Sequence, residues 1–219
     1  MYILKGHPSE DHASYKQRMF DLMADVSQQY TPKSLKITLT ETPPPRFSVI
    51  PFRNEKVAVM SITRETSEEL NGIYRAKGFL GGYLVEEAVP VAYKKVWENK
   101  TPTPGICLLT LFHRKPTIDE GTFIHRWHEG HTPLSLRLHP LWNYNRNVVK
   151  QKLTDGPVWY DGIVEEQFKT RRKLLNPIHF FGPWWKVPYH MLLVYKDTIS
   201  FIDMKRLETY LATEYHFKT

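Results

Sequence analysis

Apolar residues fall into two helical stripes, each preceded by a short strand-like stretch and a polar start. After Ser9 and Asp11, the residues Tyr15, Met19, Leu22, Met23 and Val26 recur at the spacing of one helix face. After Thr117 and Asp119, Phe123, Trp127 and His131 mark a similar face at i, i+4 and i+8. Stretches rich in β-branched and aromatic residues flank both stripes. They predict strands over 2–5, 34–42, 56–63 and 81–93, then over 106–113, 142–153, 160–168 and 189–195. With a second helix over 68–77, the first half reads βαββαβ.

The two halves also resemble each other residue by residue. A shift of 108 positions sets Pro8 on Pro116, Ser9 on Thr117, Asp11 on Asp119, Tyr15 on Phe123, Arg18 on Arg126 and Met19 on Trp127. A βαββαβ unit is a ferredoxin-like layer with helices on one face of its sheet, which leaves the other apolar face to be covered. A second copy supplies that cover. The expected fold class is therefore α+β, with two ferredoxin-like (βαββαβ) halves, 1–97 and 98–219, forming a two-sheet α/β barrel. A polar linker over 96–105 joins them. Two segments depart from the unit: a proline-rich loop over 42–52, and an irregular stretch over 174–188 in place of a regular second helix.

Composition narrows the class without naming a function. Hydrophobic, aromatic and charged fractions of 41%, 13% and 24% are those of a globular chain, which argues against disorder or a disulfide-stapled miniature fold. Cys107 is the one cysteine, so no internal disulfide can form. No apolar run reaches the roughly 18 residues that span a bilayer, and the opening residues lack the pattern of a signal peptide; a cytoplasmic location without a membrane partner is expected. The net charge of +7 is spread over both halves, and the short run Arg171-Arg172-Lys173 accompanies no nucleic-acid motif, so no nucleic-acid partner is expected.

The densest chemistry lies in Phe123-Ile-His-Arg-Trp-His-Glu-Gly-His-Thr-Pro-Leu. His131 shares the apolar stripe with Trp127 and so faces the interior, whereas His125 and His128 point elsewhere. Pro133 keeps Thr132 out of the helical region and suits the first turn of a new helix, which places His131 at a helix C-terminus. Two readings stay open for it: a core histidine that bonds a carbonyl at the helix break, or a general acid or base. His128 and His131 are three apart, not the four that align two imidazoles for zinc, and no metal site is expected. No glycine-rich phosphate loop, nucleophile elbow or paired cysteine motif is present, so no cofactor is expected either.

Phe123-x-x-Arg-Trp-x-x-x-His131-x-Pro-Leu, after a strand and before Tyr144, resembles the EthD family of the dimeric α/β-barrel superfamily. Asp161-Gly-Ile-Val-Glu-Glu, Phe180-Phe-Gly and Asp197-x-x-x-Phe-x-Asp203 extend the likeness across 106–215. It is weaker in the first half, where Met23 stands in the place of His131. The resemblance implies an interior cavity between sheet and helix with His131 as general base or acid, in a family that includes cofactor-free dehydratases, cyclases and lyases, accessory proteins of degradation pathways and distant haem binders. A second polar group would orient His131 or hold an oxyanion; Asp161, Tyr144 and His113 are the candidates.

The aromatic segment Ile178-His-Phe-Phe-Gly-Pro-Trp-Trp-Lys-Val-Pro-Tyr-His either closes a barrel end as core or forms a wall for a bulky apolar substrate. Phe181, Trp184, Trp185 and His190, with Phe123 and Trp127, are the candidate substrate contacts. The leading expectation is a cofactor-independent lyase or isomerase acting on a hydrophobic carbonyl-bearing or phenolic molecule, such as a polyketide, steroid or aromatic catabolite. The competing ones are a non-catalytic ligand-binding or accessory protein, or a haem protein using His131, His113 or His190. A homodimer is compatible with either.

Overall fold

The computed structural model of this 219-residue chain describes residues 1–65, 70–156 and 158–219. Its first half runs β1 Tyr2–Lys5, α1 His12–Tyr30, β2 Ser34–Leu39, β3 Val57–Thr63, α2 Asn71–Tyr74 and β4 Phe79–Val91. The second runs β5 Ile106–Phe112, α3 Glu120–His125, a π-helical turn Arg126–His131, α4 Thr132–Leu138, β6 Asn143–Lys152 and β7 Gly162–Phe168. It continues through α5 Arg171–Leu175, α6 Pro177–Phe181, α7 Val187–Phe201, a 3-10 turn Met204–Arg206 and β8 Glu208–Lys218.

The eight strands close into one barrel in the order β1-β3-β2-β8-β5-β7-β6-β4, every pairing antiparallel. Within each half the order is fourth, first, third, second. The halves meet at two seams, β2 with β8 and β4 with β6. Alternation along the strands sends Ile3, Val57, Val59, Tyr83, Leu109, Leu111, Ile163 and Tyr210 into the lumen, with Cys107 among them. The outer face of the first half is covered by α1, whose Tyr15, Met19, Met23 and Val26 pack on Leu4, Leu35, Ile37 and Met60. Asp11 caps that helix by accepting from Ser14 N–H at 2.9 Å.

One end of the lumen is polar. Lys36 of β2 lies 2.6 Å from Glu165 of β7 and 3.3 Å from Glu214 of β8. Tyr93 donates to Glu214 at 2.6 Å, Thr103 donates to it at 2.9 Å, and Thr38 donates to Glu165. Burial alone would lower the Lys36 pKa, yet the two carboxylates raise it. Burial likewise opposes ionisation of Glu214, but Lys36 and the bonds from His216 and Tyr93 hold its carboxyl well below the usual range. The segment between β4 and β5 caps this end, with Tyr93 and Trp97 packed against Trp142 and His216.

Three expectations are corrected. Residues 189–195 form no strand: they lie in α7, a 15-residue helix with proline in its first turn. The run Tyr-His-Met-Leu-Leu-Val-Tyr suits either element, and length decides it, since the apolar pattern continues to Phe201. The final strand is instead β8, which the periodicity concealed because Glu214 and His216 occupy lumen positions. The helix does not break at His131 either. Thr132 is helical at φ −57° and ψ −52°, and α3, the π-helical turn and α4 form one rod. Pro133 removes a backbone donor and crowds the carbonyl four residues earlier, so the rod widens: Thr132 N–H donates to Trp127 O, five residues back. Of the helix expected over 68–77, residues 71–74 are helical, and Glu68 and Glu69 lie outside the described residues.

The outer sheet of the second half tolerates no added bulk at Gly162, where a Cβ would sit 2.3 Å from the Phe112 ring; that ring is fixed between Phe123, Trp127 and Phe201. Gly162→Ala is expected to lower stability in denaturant unfolding by about 1 to 3 kcal/mol. Gly130→Ala in the rod, whose Cβ would meet nothing nearer than 3.7 Å, is expected to be neutral or stabilising by up to about 1 kcal/mol.

Candidate functional site

The rod of α3 and α4 lies over the outer face of β5, β6 and β7, with α7 beside it. Asp119 caps the rod by accepting from Thr122 N–H at 2.7 Å. The widened turn is pinned at Thr132, whose hydroxyl donates to Trp127 O at 3.0 Å and accepts from Arg146 at 2.8 Å. Trp127 is fully buried, edge-on to Phe112 with ring centres 4.9 Å apart.

One turn further on, His131 points at α7. Its Nδ1 lies 2.6 Å from Asp197 Oδ2, its Nε2 lies 3.2 Å from Ser135 Oγ, and its ring centre is 5.2 Å from that of Phe201. Because a carboxylate only accepts, the short bond assigns the proton to Nδ1 and leaves Nε2 as the basic nitrogen. Across a cavity of about 50 Å³, bounded by Trp127, Tyr144 and Phe201, stands Glu166 of β7. Burial raises the Glu166 carboxyl to about 7, a shift that the nearby His131 opposes. Burial also raises the Tyr144 phenol to about 12, so it stays protonated. The cavity thus faces an oriented imidazole toward a carboxyl that keeps its proton near neutrality, with apolar rings around both.

Ser135, His131 and Asp197 follow the order of a hydroxyl, imidazole and acid triad, but the Ser135 hydroxyl is buried in α4 and does not line the cavity. It steadies the ring and offers no reachable nucleophile.

Of the residues singled out from the sequence, His131, Tyr144 and Trp127 meet at this cavity. Asp161 does not: it accepts from Arg114 N–H at 2.9 Å and Trp159 Nε1 at 3.1 Å, and lines a separate groove of about 290 Å³ beside Phe123. His113 is buried next to Tyr160, and burial, with Arg206 assisting, lowers its pKa. Phe181 is core, and its carbonyl accepts from His190 Nδ1 at 2.6 Å. Trp184 and Trp185 are exposed. The sequence motifs contain Glu166 and Asp197 without marking either as a site residue, and Ser135 lies in none of them. Glu166 carried a usable signal: adjacent carboxylates, Glu165-Glu166, within a strand fall on opposite faces, so one of them lies on the side away from the lumen.

A second cavity of about 780 Å³ lies between β3, β4 and β6, lined in part by Ser61, Tyr83, Glu87, Asn147 and Gln151. Its lining contains neither His131, His113 nor His190, so the imidazoles considered for haem do not fit a macrocycle there. Among the described residues no group of three or more His, Cys, Asp or Glu side chains is placed to hold a metal ion, and no helix is long and apolar enough to cross a membrane. Comparisons with protein-family models, with curated proteins and with solved structures find no match.

The Glu166 environment has a measurable signature. An unfolded glutamate ionises near pH 4.5, so between pH 4.5 and 7 the folded chain holds a proton that the unfolded chain has lost. The native state therefore loses stability as pH rises through that window, by about 3 kcal/mol in all. Glu166→Gln is expected to match the wild type near pH 4 and to be more stable at pH 8, as read from melting temperature against pH.

Proposed function

We propose that the chain is a cofactor-independent lyase or isomerase, of dehydratase or cyclase type, with its reacting groups at the His131 cavity. The observation that carries this reading is the pairing of His131, oriented by Asp197 at 2.6 Å, with Glu166, protonated near neutrality across the same cavity. The Ser135 hydroxyl, 3.2 Å from His131 Nε2, turns away as substrate enters, and Nε2 then takes a proton from a carbon next to a carbonyl. Glu166 donates a hydrogen bond to the carbonyl oxygen, where negative charge develops. In a dehydration, the proton on Nε2 then passes to the departing β-hydroxyl, which leaves as water. Asp197 holds the imidazolium formed in between. A volume of about 50 Å³ accepts the reacting end of a molecule, and the apolar walls of Phe112, Trp127 and Phe201 suit a hydrophobic carbonyl compound or phenol.

The same reading takes each half as a ferredoxin-like unit and keeps the resemblance to the EthD family. The twice-repeated strand order and the 108-residue repeat support it, as does Met23, fully buried beneath α1 where the second half has His131. The competing reading, a non-catalytic ligand-binding protein, draws on the cavity of about 780 Å³ with its mixed lining of Tyr83, Glu87, Asn147 and Gln151.

Exchange of α-protons for deuterium in a panel of aryl ketones, followed by NMR, separates the two. The wild type is expected to accelerate exchange, and His131→Gln to slow it by about 10² to 10⁴ with little change in melting temperature. Its pH profile is expected to fall above about 7, where Glu166 ionises, and Asp197→Asn to slow exchange without abolishing it. A His131→Gln chain that exchanges as fast as the wild type would move the chemistry elsewhere. A loss of about 1 to 3 kcal/mol of stability, with activity following the folded fraction, would make His131 structural.

A further inference from the structure

The outer face of α5, α6 and α7 combines two features that rarely share a monomer surface. From Lys169 to Lys196 the chain holds six lysines and arginines and no aspartate or glutamate. Lys169, Arg171, Arg172, Lys186 and Lys196 are exposed. Between them stand large apolar side chains in solvent: Trp184 is 70% exposed, Trp185 62%, Tyr189 64%, Leu192 51% and Ile178 51%. On the inner face of α7, Val187, Met191 and Val194 pack against the core and Asp197 meets His131. The same core cluster takes Ile50 and Phe52 from the proline-rich loop. Phe47, 86% exposed, and Arg46 therefore belong to a loop anchored beside the patch.

We propose that this face docks on an anionic lipid bilayer, lying at the headgroup level without crossing it. Tryptophan and tyrosine favour that depth, and lysine and arginine at its rim meet lipid phosphates and carboxylates, each contributing about a five-fold gain in affinity at a charged surface. A second copy is the weaker occupant. A two-fold interface would set the same cations against each other, with no carboxylate in the segment to separate them. Nucleic acid would match the charge but leave Ile178, Leu192 and Phe47 in water. The proposal goes beyond the acid–base reading and departs from the expectation of a chain without a membrane partner.

Co-sedimentation of the full chain tests it, using vesicles of equimolar phosphatidylcholine and phosphatidylserine beside vesicles of phosphatidylcholine alone, with tryptophan emission as a second readout. Binding to the anionic vesicles is expected, weakening with added salt and accompanied by a blue shift. Arg171→Gln with Arg172→Gln is expected to weaken it about 25-fold, and Trp184→Ser with Trp185→Ser about 10-fold or more with loss of the shift. Melting temperatures should not move, because all four side chains are exposed. No binding to anionic vesicles overturns the proposal. So does equal, salt-insensitive binding to the neutral ones. A lipid-free dimer that the tryptophan variant dissociates overturns it too, as does RNA binding that the arginine variant loses while vesicle binding persists.

Discussion

Closure of the sheet is the constraint on which the rest of the structure depends. Neither half is a finished object: β2 and β4 are edges of the first, β6 and β8 of the second, and each would otherwise offer a row of unpaired backbone groups to solvent. Pairing β2 with β8 and β4 with β6 removes all four edges at once. The register of the first seam is specified from inside. Lys36 pairs opposite His216 and Thr38 opposite Glu214, and in this alignment the ammonium reaches both Glu214 and Glu165. A slip of one residue would turn Lys36 outward and leave two buried carboxylates without their cation. A buried ion cluster is weak evidence for stability, since desolvation offsets much of its attraction. Its value here is discrimination between registers.

The candidate site depends on a second local constraint. Pro133 prevents an ordinary helical turn, and the widened backbone delivers His131 to Asp197 on α7 while Trp127 stays in the core. Rigid elements hold every group involved: His131 and Ser135 on one rod, Asp197 on α7, Glu166 and Tyr144 on adjacent strands. The apolar packing that fixes these elements also sets the proton affinity of Glu166, because the same rings that fill the space exclude the water that would ionise it.

Much of this was legible from residue patterns. The stripe from Tyr15 to Val26 pointed to α1, and strand alternation with the 108-residue repeat pointed to a mixed α+β barrel, because helical spacing and strand alternation are local signals. The interior direction of His131 was legible for the same reason. The signals failed where tertiary chemistry overrides alternation. Lumen carboxylates disguised β8, an aromatic and aliphatic run disguised α7, and Pro133 suggested a break where the helix widens instead. Asp197 is 66 residues from His131, and nothing local marks one as the partner of the other. Asp161 and His113 are attractive in sequence, yet β5 and β7 place them away from the cavity.

The position of β8 has a consequence for synthesis. The strand that completes the first half's open edge is made later than every other strand of the barrel, and at translation speeds of about 5 to 20 residues per second β2 waits on the order of ten seconds for it. During that interval β2 is an unprotected template for any passing strand. Lys36, aimed at the side of the sheet that will become the lumen, makes that edge a poor substrate for promiscuous pairing, because a foreign strand would bury the ammonium without a carboxylate. The cation that two carboxylates neutralise in the finished barrel is, until β8 arrives, an unpaired charge on an open edge.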